Sequence, residues 1–239
     1  MKKIYIKTII LVMVFLSIAA VLYIKKQNTR QPEEKIAEVN LNIQNMKDTI
    51  PKVALTFDDG PSSIYTKTLL KGLKKRGVKA TFFLTGDRVK NNKKIVKKMK
   101  KDGHVIGNHT YSHIDLAKTG YNEAKKEIRD TNNEIFKVTG ERPKYLRPPY
   151  GDWNDKLLDE TDMSIVLWSV DPEDWKDRNA SVVAKRVIKS TRSGDIILLH
   201  DIFKTSVEAA FKIIDKLQSK GYHFVTIDQL DSNKIIIND

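Results

Sequence analysis

Seven short apolar runs follow residue 51, at 53–57, 80–84, 105–108, 145–147, 165–168, 196–200 and 224–226. Each is three to five residues long and rich in β-branched, aliphatic or aromatic side chains, as buried strands are. Between several of them the apolar positions recur at a helical period, at 66–76, 92–101, 122–138, 181–191 and 206–220. Glycines such as Gly77 and Gly140 fall just past those stretches, where a left-handed residue stops a helix. This alternation predicts parallel strands joined by crossover helices. Seven strands suit an incomplete or distorted (β/α) barrel better than an open sheet, but the pattern alone leaves both standing.

The N-terminal pattern is different. Lys2, Lys3 and Lys7 precede the 17 uncharged residues of 8–24, and Lys25 and Lys26 close the run. Residues 4–24, interrupted only by Lys7, make a helix of about 31 Å, enough for a hydrocarbon core of about 30 Å with Lys7 snorkelling. A cleaved signal peptide starts the same way, but its apolar region is usually about 7–15 residues and ends at a small-x-small site. Here Ala19-Ala20 runs on into Val21-Leu22-Tyr23-Ile24. The reading is an N-terminal membrane anchor at 1–26, a polar stalk at 27–50, a globular domain at 51–230 and a tail at 231–239. The short basic head favours staying inside, which puts the domain outside the cell membrane.

Composition adds two constraints. Cysteine is absent, so the exported domain relies on its core and not on disulfides. The net charge of +13 is spread along the chain as lysines, for example Lys71, Lys74, Lys75, Lys79 and those from Lys90 to Lys101. That suits a solvated surface or attraction to a polyanion such as a cell wall. No helix-turn-helix, zinc-finger or RNA-recognition signature accompanies it, so nucleic acid is not an expected partner.

The reactive residue types gather at the C-terminal ends of the predicted strands, the end where a barrel builds its site from loops. Asp58 and Asp59 close the first run within Thr56-Phe57-Asp58-Asp59-Gly60-Pro61. His109 and His113 follow the third, Arg147-Pro148-Pro149-Tyr150 the fourth, Asp171 to Trp175 the fifth, and His200 ends the sixth. On extended backbone, neighbouring side chains point to opposite sides, so Asp58 and Asp59 need not share a task. His109 and His113, four apart, would share one face of a helical turn, a spacing suited to zinc. Two carboxylates and two histidines supply three metal ligands and a base, the inventory of metal-assisted hydrolysis. His104 and His223 start strands and are expected to be structural.

In order, these motifs resemble those of the polysaccharide deacetylases with a NodB homology domain, carbohydrate esterase family 4, and most of all the peptidoglycan N-acetylglucosamine deacetylases. The resemblance covers roughly 51–230 and implies a distorted (β/α)7 TIM-like barrel. It implies a divalent metal, most often zinc with cobalt as an alternative, held by Asp59, His109 and His113. It further implies Asp58 as general base, Arg147 orienting it, and the Tyr150 backbone N–H at the oxyanion. His200 would be the general acid with Asp174 fixing its protonated form, and Pro149, Tyr150, Trp175 and Leu198 would line the acetyl and sugar groove. The implied partner is a cell-wall polysaccharide, with chitin oligomers, exopolysaccharide, N-acetylmuramic acid or O-acetyl xylan as other substrates. A wall-binding protein that has lost catalysis is the reading from another class.

Overall fold

The structure, a computed structural model, describes residues 50–153, 157, 161–230 and 236–237, together with scattered positions before residue 50. Two units are distinguished, Met1–Ile50 and Pro51–Asp239. In the first, the described positions 13, 15–19, 21–23, 25 and 39 are helical. The rest of the predicted anchor and nearly all of the stalk lie outside the described residues. Among those described, no helix is long and apolar enough to cross a membrane.

In the second unit the seven apolar runs appear as strands β1 (Lys52–Gly60), β2 (Thr81–Leu84), β3 (Val105–Asn108), β4 (Tyr145–Leu146), β5 (Ser164–Val166), β6 (Ile196–His200) and β7 (His223–Val225). The helices are α1 (Tyr65–Lys75), α2 (Gly86–Asn91), α3 (Lys93–Lys101), α4 (Tyr121–Thr139), α5 (Asp174–Asp177), α6 (Ala180–Ser190) and α7 (Lys204–Ser219). α2 and α5, of six and four residues, are too short to leave a periodic signal. α4 shows why the longer ones form. Its buried positions, Ala124, Ile128, Thr131, Ile135 and Val138, step by four and three, and Gly140 ends it at φ 75°.

The strands run in the order β6-β1-β2-β3-β4-β5, all parallel, and β8 (Ile236–Ile237), in the region predicted as a tail, pairs antiparallel with β5. Ala54 pairs with Ile196 on one side and Val225 on the other, so β7 takes the start of the edge that β2 occupies from Thr56 onward. Beyond β5 the chain bends toward β6, where Val170 bridges Ile197 and its N–H donates to the Ile196 carbonyl at 3.2 Å. The result is an α/β half-barrel of parallel strands, not a flat open sheet.

Strand parity sorts the core from the site. Val53, Leu55 and Phe57 of β1, with Ile197 and Leu199 of β6, pack against Leu69, Leu70 and Leu73 of α1 and Ile213, Ile214 and Leu217 of α7. Burying each such side chain contributes about 1.5–3 kcal/mol. Ala54, Thr56 and Asp58, in register with Ile196, Leu198 and His200, take the concave face. That face is apolar at its base and ends in acids, a histidine and an arginine at the strand C-termini.

Candidate active site

The extended alternation of β1 stops at Asp59. Its φ is 67°, and the pairing with β2 shifts register between Phe57 and Gly60. Both carboxylates therefore approach one histidine: Asp58 Oδ2 lies 3.9 Å and Asp59 Oδ1 3.4 Å from His109 Nε2. This corrects the prediction that they point apart, which assumed an extended residue at 59. Gly60 is required by packing, since a Cβ there would sit 2.3 Å from Asp201 Oδ1.

His109 and His113 do not share a helical turn, another correction. They lie in an irregular loop in which Thr110 (φ 61°) and His113 (φ 60°) are left-handed. Asn108 Oδ1 accepts from the Thr110 N–H at 2.7 Å. The Glu127 carboxylate, on α4, accepts from the N–H groups of Tyr111 and Ser112 at 2.8 and 2.7 Å and from the Ser112 hydroxyl at 2.9 Å. The loop is thus held by side chains, and they bring His113 Nε2 to 3.2 Å from Asp59 Oδ1.

One donor atom from each of Asp59, His109 and His113 lies within 4.8 Å of the others. His109 Nδ1 sits 2.6 Å from the Arg147 carbonyl. A carbonyl only accepts, so Nδ1 carries the proton and Nε2 presents a lone pair. Asp59 Oδ1 is buried without a hydrogen-bond partner, so acceptors face acceptors across a small gap. A cation resolves that arrangement. Where no cation sits there, a proton on the histidine side does the same work: burial opposes ionising Asp59, yet the facing histidines hold its carboxyl well below the usual range, and Asp59 in turn raises His113. These donors fit a divalent metal of the zinc type.

Asp58 is held from the other side. Arg147 is fully buried and donates from Nη1 to Asp58 Oδ1 and to Thr56 Oγ1, both at 2.8 Å. Its Nε donates to the Val166 carbonyl at 3.0 Å and Nη2 to the Leu167 carbonyl at 2.9 Å. The guanidinium lies 4.2 Å from the Phe83 ring centroid. Burial lowers its pKa, but an arginine so paired stays charged. One Asp58 oxygen is committed to Arg147, and the other faces His109.

Across the β1–β6 pair, in register with Asp58, stands His200. Asp174, from α5, accepts from His200 Nδ1 at 2.7 Å and from the His200 backbone N–H at 2.9 Å. Burial alone would discharge this imidazole. The Asp174 contact outweighs it, with Asp58 and Asp59 adding to the pull, and the pKa is pushed up to about 9. A base candidate and a protonated acid candidate thus flank the candidate metal triad.

A model of the family described as polysaccharide deacetylase matches residues 27–163. The chain belongs to the polysaccharide deacetylase family. It is 43% identical over 210 residues, 87% of the chain, to the peptidoglycan-N-acetylmuramic acid deacetylase PdaC of Bacillus subtilis, and covers 45% of that protein. To the peptidoglycan-N-acetylglucosamine deacetylase PgdA of Listeria monocytogenes it is 44% identical over 189 residues, 79% of the chain and 41% of that protein. The chain therefore spans less than half the length of these relatives. The solved structure of PdaC superposes with a TM-score of 0.75 at 45% identity, covering 77% of this chain and 91% of that one. A family 4 acetyl xylan esterase from Clostridium thermocellum, solved with a cobalt ion, superposes with a TM-score of 0.71 at 39% identity, covering 74% and 89%.

Against this deacetylase frame, the predicted site residues fall into two groups. Asp58, Asp59, His109, His113, Arg147, Asp174 and His200 form one connected constellation. Tyr150 joins its edge: its ring meets His113 edge-on at 5.1 Å between centroids, and its backbone is left-handed at φ 64° in the turn Pro149–Gly151. Trp175 follows Asp174 and is half exposed, while Pro149 and Leu198 are buried. Leu198 lies one pleat below His200, so it floors the concave face more than it lines an open groove. His104, predicted as structural, is buried and accepts the Ala80 N–H on Nδ1 at 3.1 Å. Sequence reasoning missed Thr56, Asn108, Glu127 and Asp201. Asp201 is fully buried, accepts from the Thr66 hydroxyl, and has its other oxygen unpartnered. Its place immediately after His200 was the available signal.

Proposed function

We propose that the chain is a metal-dependent hydrolase that removes N-acetyl groups from the N-acetylglucosamine of peptidoglycan. The observation that carries this reading is the convergence of Asp59, His109 and His113 between an Arg147-held carboxylate, Asp58, and an Asp174-held imidazole, His200. A divalent metal in that triad supplies a Lewis acid and lowers the pKa of water to about 7.

This chain's own residues supply the remaining work. Asp58 accepts the proton of the attacking water, with Arg147 fixing which oxygen is free for it. Attack on the acetamide carbonyl forms a C–O bond and moves the carbonyl π electrons onto oxygen, to which the Tyr150 backbone N–H would donate. One such donor is typically worth about 10²–10³ in rate. The C–N bond then breaks and its electron pair takes the His200 proton, giving acetate and an amine. An unprotonated amine leaves poorly, which is why an imidazole still charged at neutral pH matters.

The relatives' names divide between N-acetylglucosamine and N-acetylmuramic acid, so muramic acid is the second substrate to try. The reading also places the domain outside the cell with the apolar stretch 4–24 as anchor; resistance of the full chain to carbonate extraction from membranes checks this. The main test is acetate release from N-acetylglucosamine oligomers with added zinc, with Asp58→Asn as the blank. Release by the native chain alone supports the proposal. Equal release by both removes Asp58 from the chemistry.

A further inference from the structure

One stretch of the folded domain carries a positive charge equal to the net charge of the whole chain, although residues 1–30 hold six further basic residues and no acid. Fourteen lysines and arginines and a single acid, Asp87, fall between residues 65 and 101, against 43 basic and 30 acidic residues overall, so the remainder is neutral. The stretch folds as α1, β2, α2 and α3, and α1 packs beside α3. Leu69, Leu70 and Leu73 of α1 and Ile95, Val96 and Met99 of α3 turn inward. The lysines are left outside. α1 follows the C-terminus of β1, and α3 follows the short α2 that leaves β2, with Asn92 at its start donating to the Pro61 carbonyl at 3.3 Å, so Lys67, Lys93 and Lys94 stand toward the rim that carries the site and the basic ridge descends from it.

Few of these charges are neutralised. Arg76 pairs with Asp215, Lys98 with Asp102 and Lys100 with Glu141. Among the described residues, Lys67, Lys71, Lys74, Lys93, Lys94 and Lys97 are exposed and make no ion pair. A merely solvated helix is built differently here: α4 interleaves its charges, pairing Lys126 with Asp130 and Lys137 with Glu134. In α3 no acid intervenes. Its like-charge pairs four apart, such as Lys93 with Lys97, each cost about 0.2–0.5 kcal/mol, and cations in its first turn oppose the helix dipole. The cations of the last turns, Lys74, Lys75, Lys98, Lys100 and Lys101, suit the helix dipole, but Lys93, Lys94 and Lys97 gain nothing from it and have no acid beside them.

The sugars of the proposed reaction do not account for it. An N-acetyl sugar is neutral, and its deacetylated product is a cation that the ridge repels. We propose that the α1–α3 ridge binds a phosphodiester polymer of the cell wall and holds the domain against anionic strands lying beside its glycan substrate. This rests on the reading of the chain as a wall deacetylase. Unbranched rows of ammonium groups suit closely spaced phosphates as point charges, whereas wall peptide carboxylates come interspersed with amines and amides.

The experiment is co-sedimentation of the full chain with purified cell walls, before and after hydrofluoric acid removes their phosphodiester polymers, over a salt series. A variant carrying Lys67→Gln, Lys71→Gln, Lys93→Gln, Lys94→Gln and Lys97→Gln is run beside it. Binding of the native chain to intact walls should weaken steeply with salt, and stripping should weaken it about tenfold or more. The variant should lose about as much on intact walls, its log–log salt slope falling by about 0.7–0.9 for each phosphate contact removed. Its acetate release from a short soluble oligomer should match the native chain. Equal native binding to intact and stripped walls overturns the proposal, as does equal binding by the variant. Tighter binding to duplex DNA than to inorganic polyphosphate of equal charge also overturns it, in favour of nucleic acid. Phosphate-dependent binding without acetate release by either protein overturns the deacetylase reading instead and upholds the ridge as a polyphosphodiester site.

Discussion

Replacing Arg147 by methionine tests the arrangement around Asp58 most directly. Methionine keeps much of the side-chain volume and the apolar contact with Phe83, but removes the cation and its four hydrogen bonds to Val166, Thr56, Asp58 and Leu167. Asp58, only 3% exposed, is left as a buried charge without its partner. Breaking a buried pair from one side costs about 3–5 kcal/mol. At about 2–4 °C per kcal/mol for a chain of this size, Tm falls by roughly 6–20 °C. Adding Asp58→Asn removes the stranded charge, so the double variant should regain about 2 kcal/mol relative to Arg147→Met, a coupling within the range for contacting residues. Urea and thermal unfolding of the native chain, both single variants and the double variant, all in chelator, complete the cycle. Additive losses, with the double variant no more stable than Arg147→Met, would refute the claim that Arg147 exists to hold the Asp58 charge.

Three further outcomes follow from the site. His200 must be protonated to serve as acid, and Asp174 outweighs burial to push its pKa up to about 9; Asp174→Asn should therefore move the alkaline limb of the kcat profile down by more than a pH unit, and an unmoved limb would remove the pair from the chemistry. Chelator should abolish acetate release, and zinc at about 100 times its Kd should stabilise the chain by about 2.7 kcal/mol, raising Tm by about 5–11 °C; calorimetry of His113→Ala should show that response lost. Asp201 has its pKa pushed up to about 7 by burial, so the folded chain keeps a proton that the unfolded chain releases near pH 4. Stability should fall as pH rises between those values, by no more than about 4 kcal/mol, and a pH–Tm series of Asp201→Asn should show that segment flattened.

The strands were legible because a buried parallel strand needs little beyond a short, mostly apolar run; β6 satisfies that without a break in 196–199, and β1 in 53–57 with only Thr56 interrupting. The site's location was legible for a related reason: polar residues at the ends of such runs have only the strand C-termini to occupy. Its internal geometry was not legible. A four-residue spacing between His109 and His113 implies a shared helical face only if the backbone is helical, and here Glu127 and Asn108, distant in sequence or mute in type, impose a loop instead. The same limit hid Thr56 and Asp201, whose roles depend on which neighbours the half-barrel brings to them.

What sequence periodicity cannot encode is the handedness of single residues, and that is where this site is made. Among the described residues six non-glycine positions have positive φ, and Asp59, Thr110, His113 and Tyr150 are four of them. Each such residue costs of order 1–3 kcal/mol, and only over-determined surroundings retain it. For Thr110, β-branched and fully buried, relief by glycine would be simple if geometry were of no consequence. Instead Asn108 and Glu127 hold the strained loop from outside, and Asp201 packs where Gly60 lacks a side chain. The strain turns Asp59 back toward His109 and brings His113 round to meet it, so three donors face one another before any ion arrives. If the proposed metal binds there, the ordering cost of its ligands is met in folding and not in metal binding, the condition under which three protein ligands would hold an ion tightly and leave a position for water or substrate.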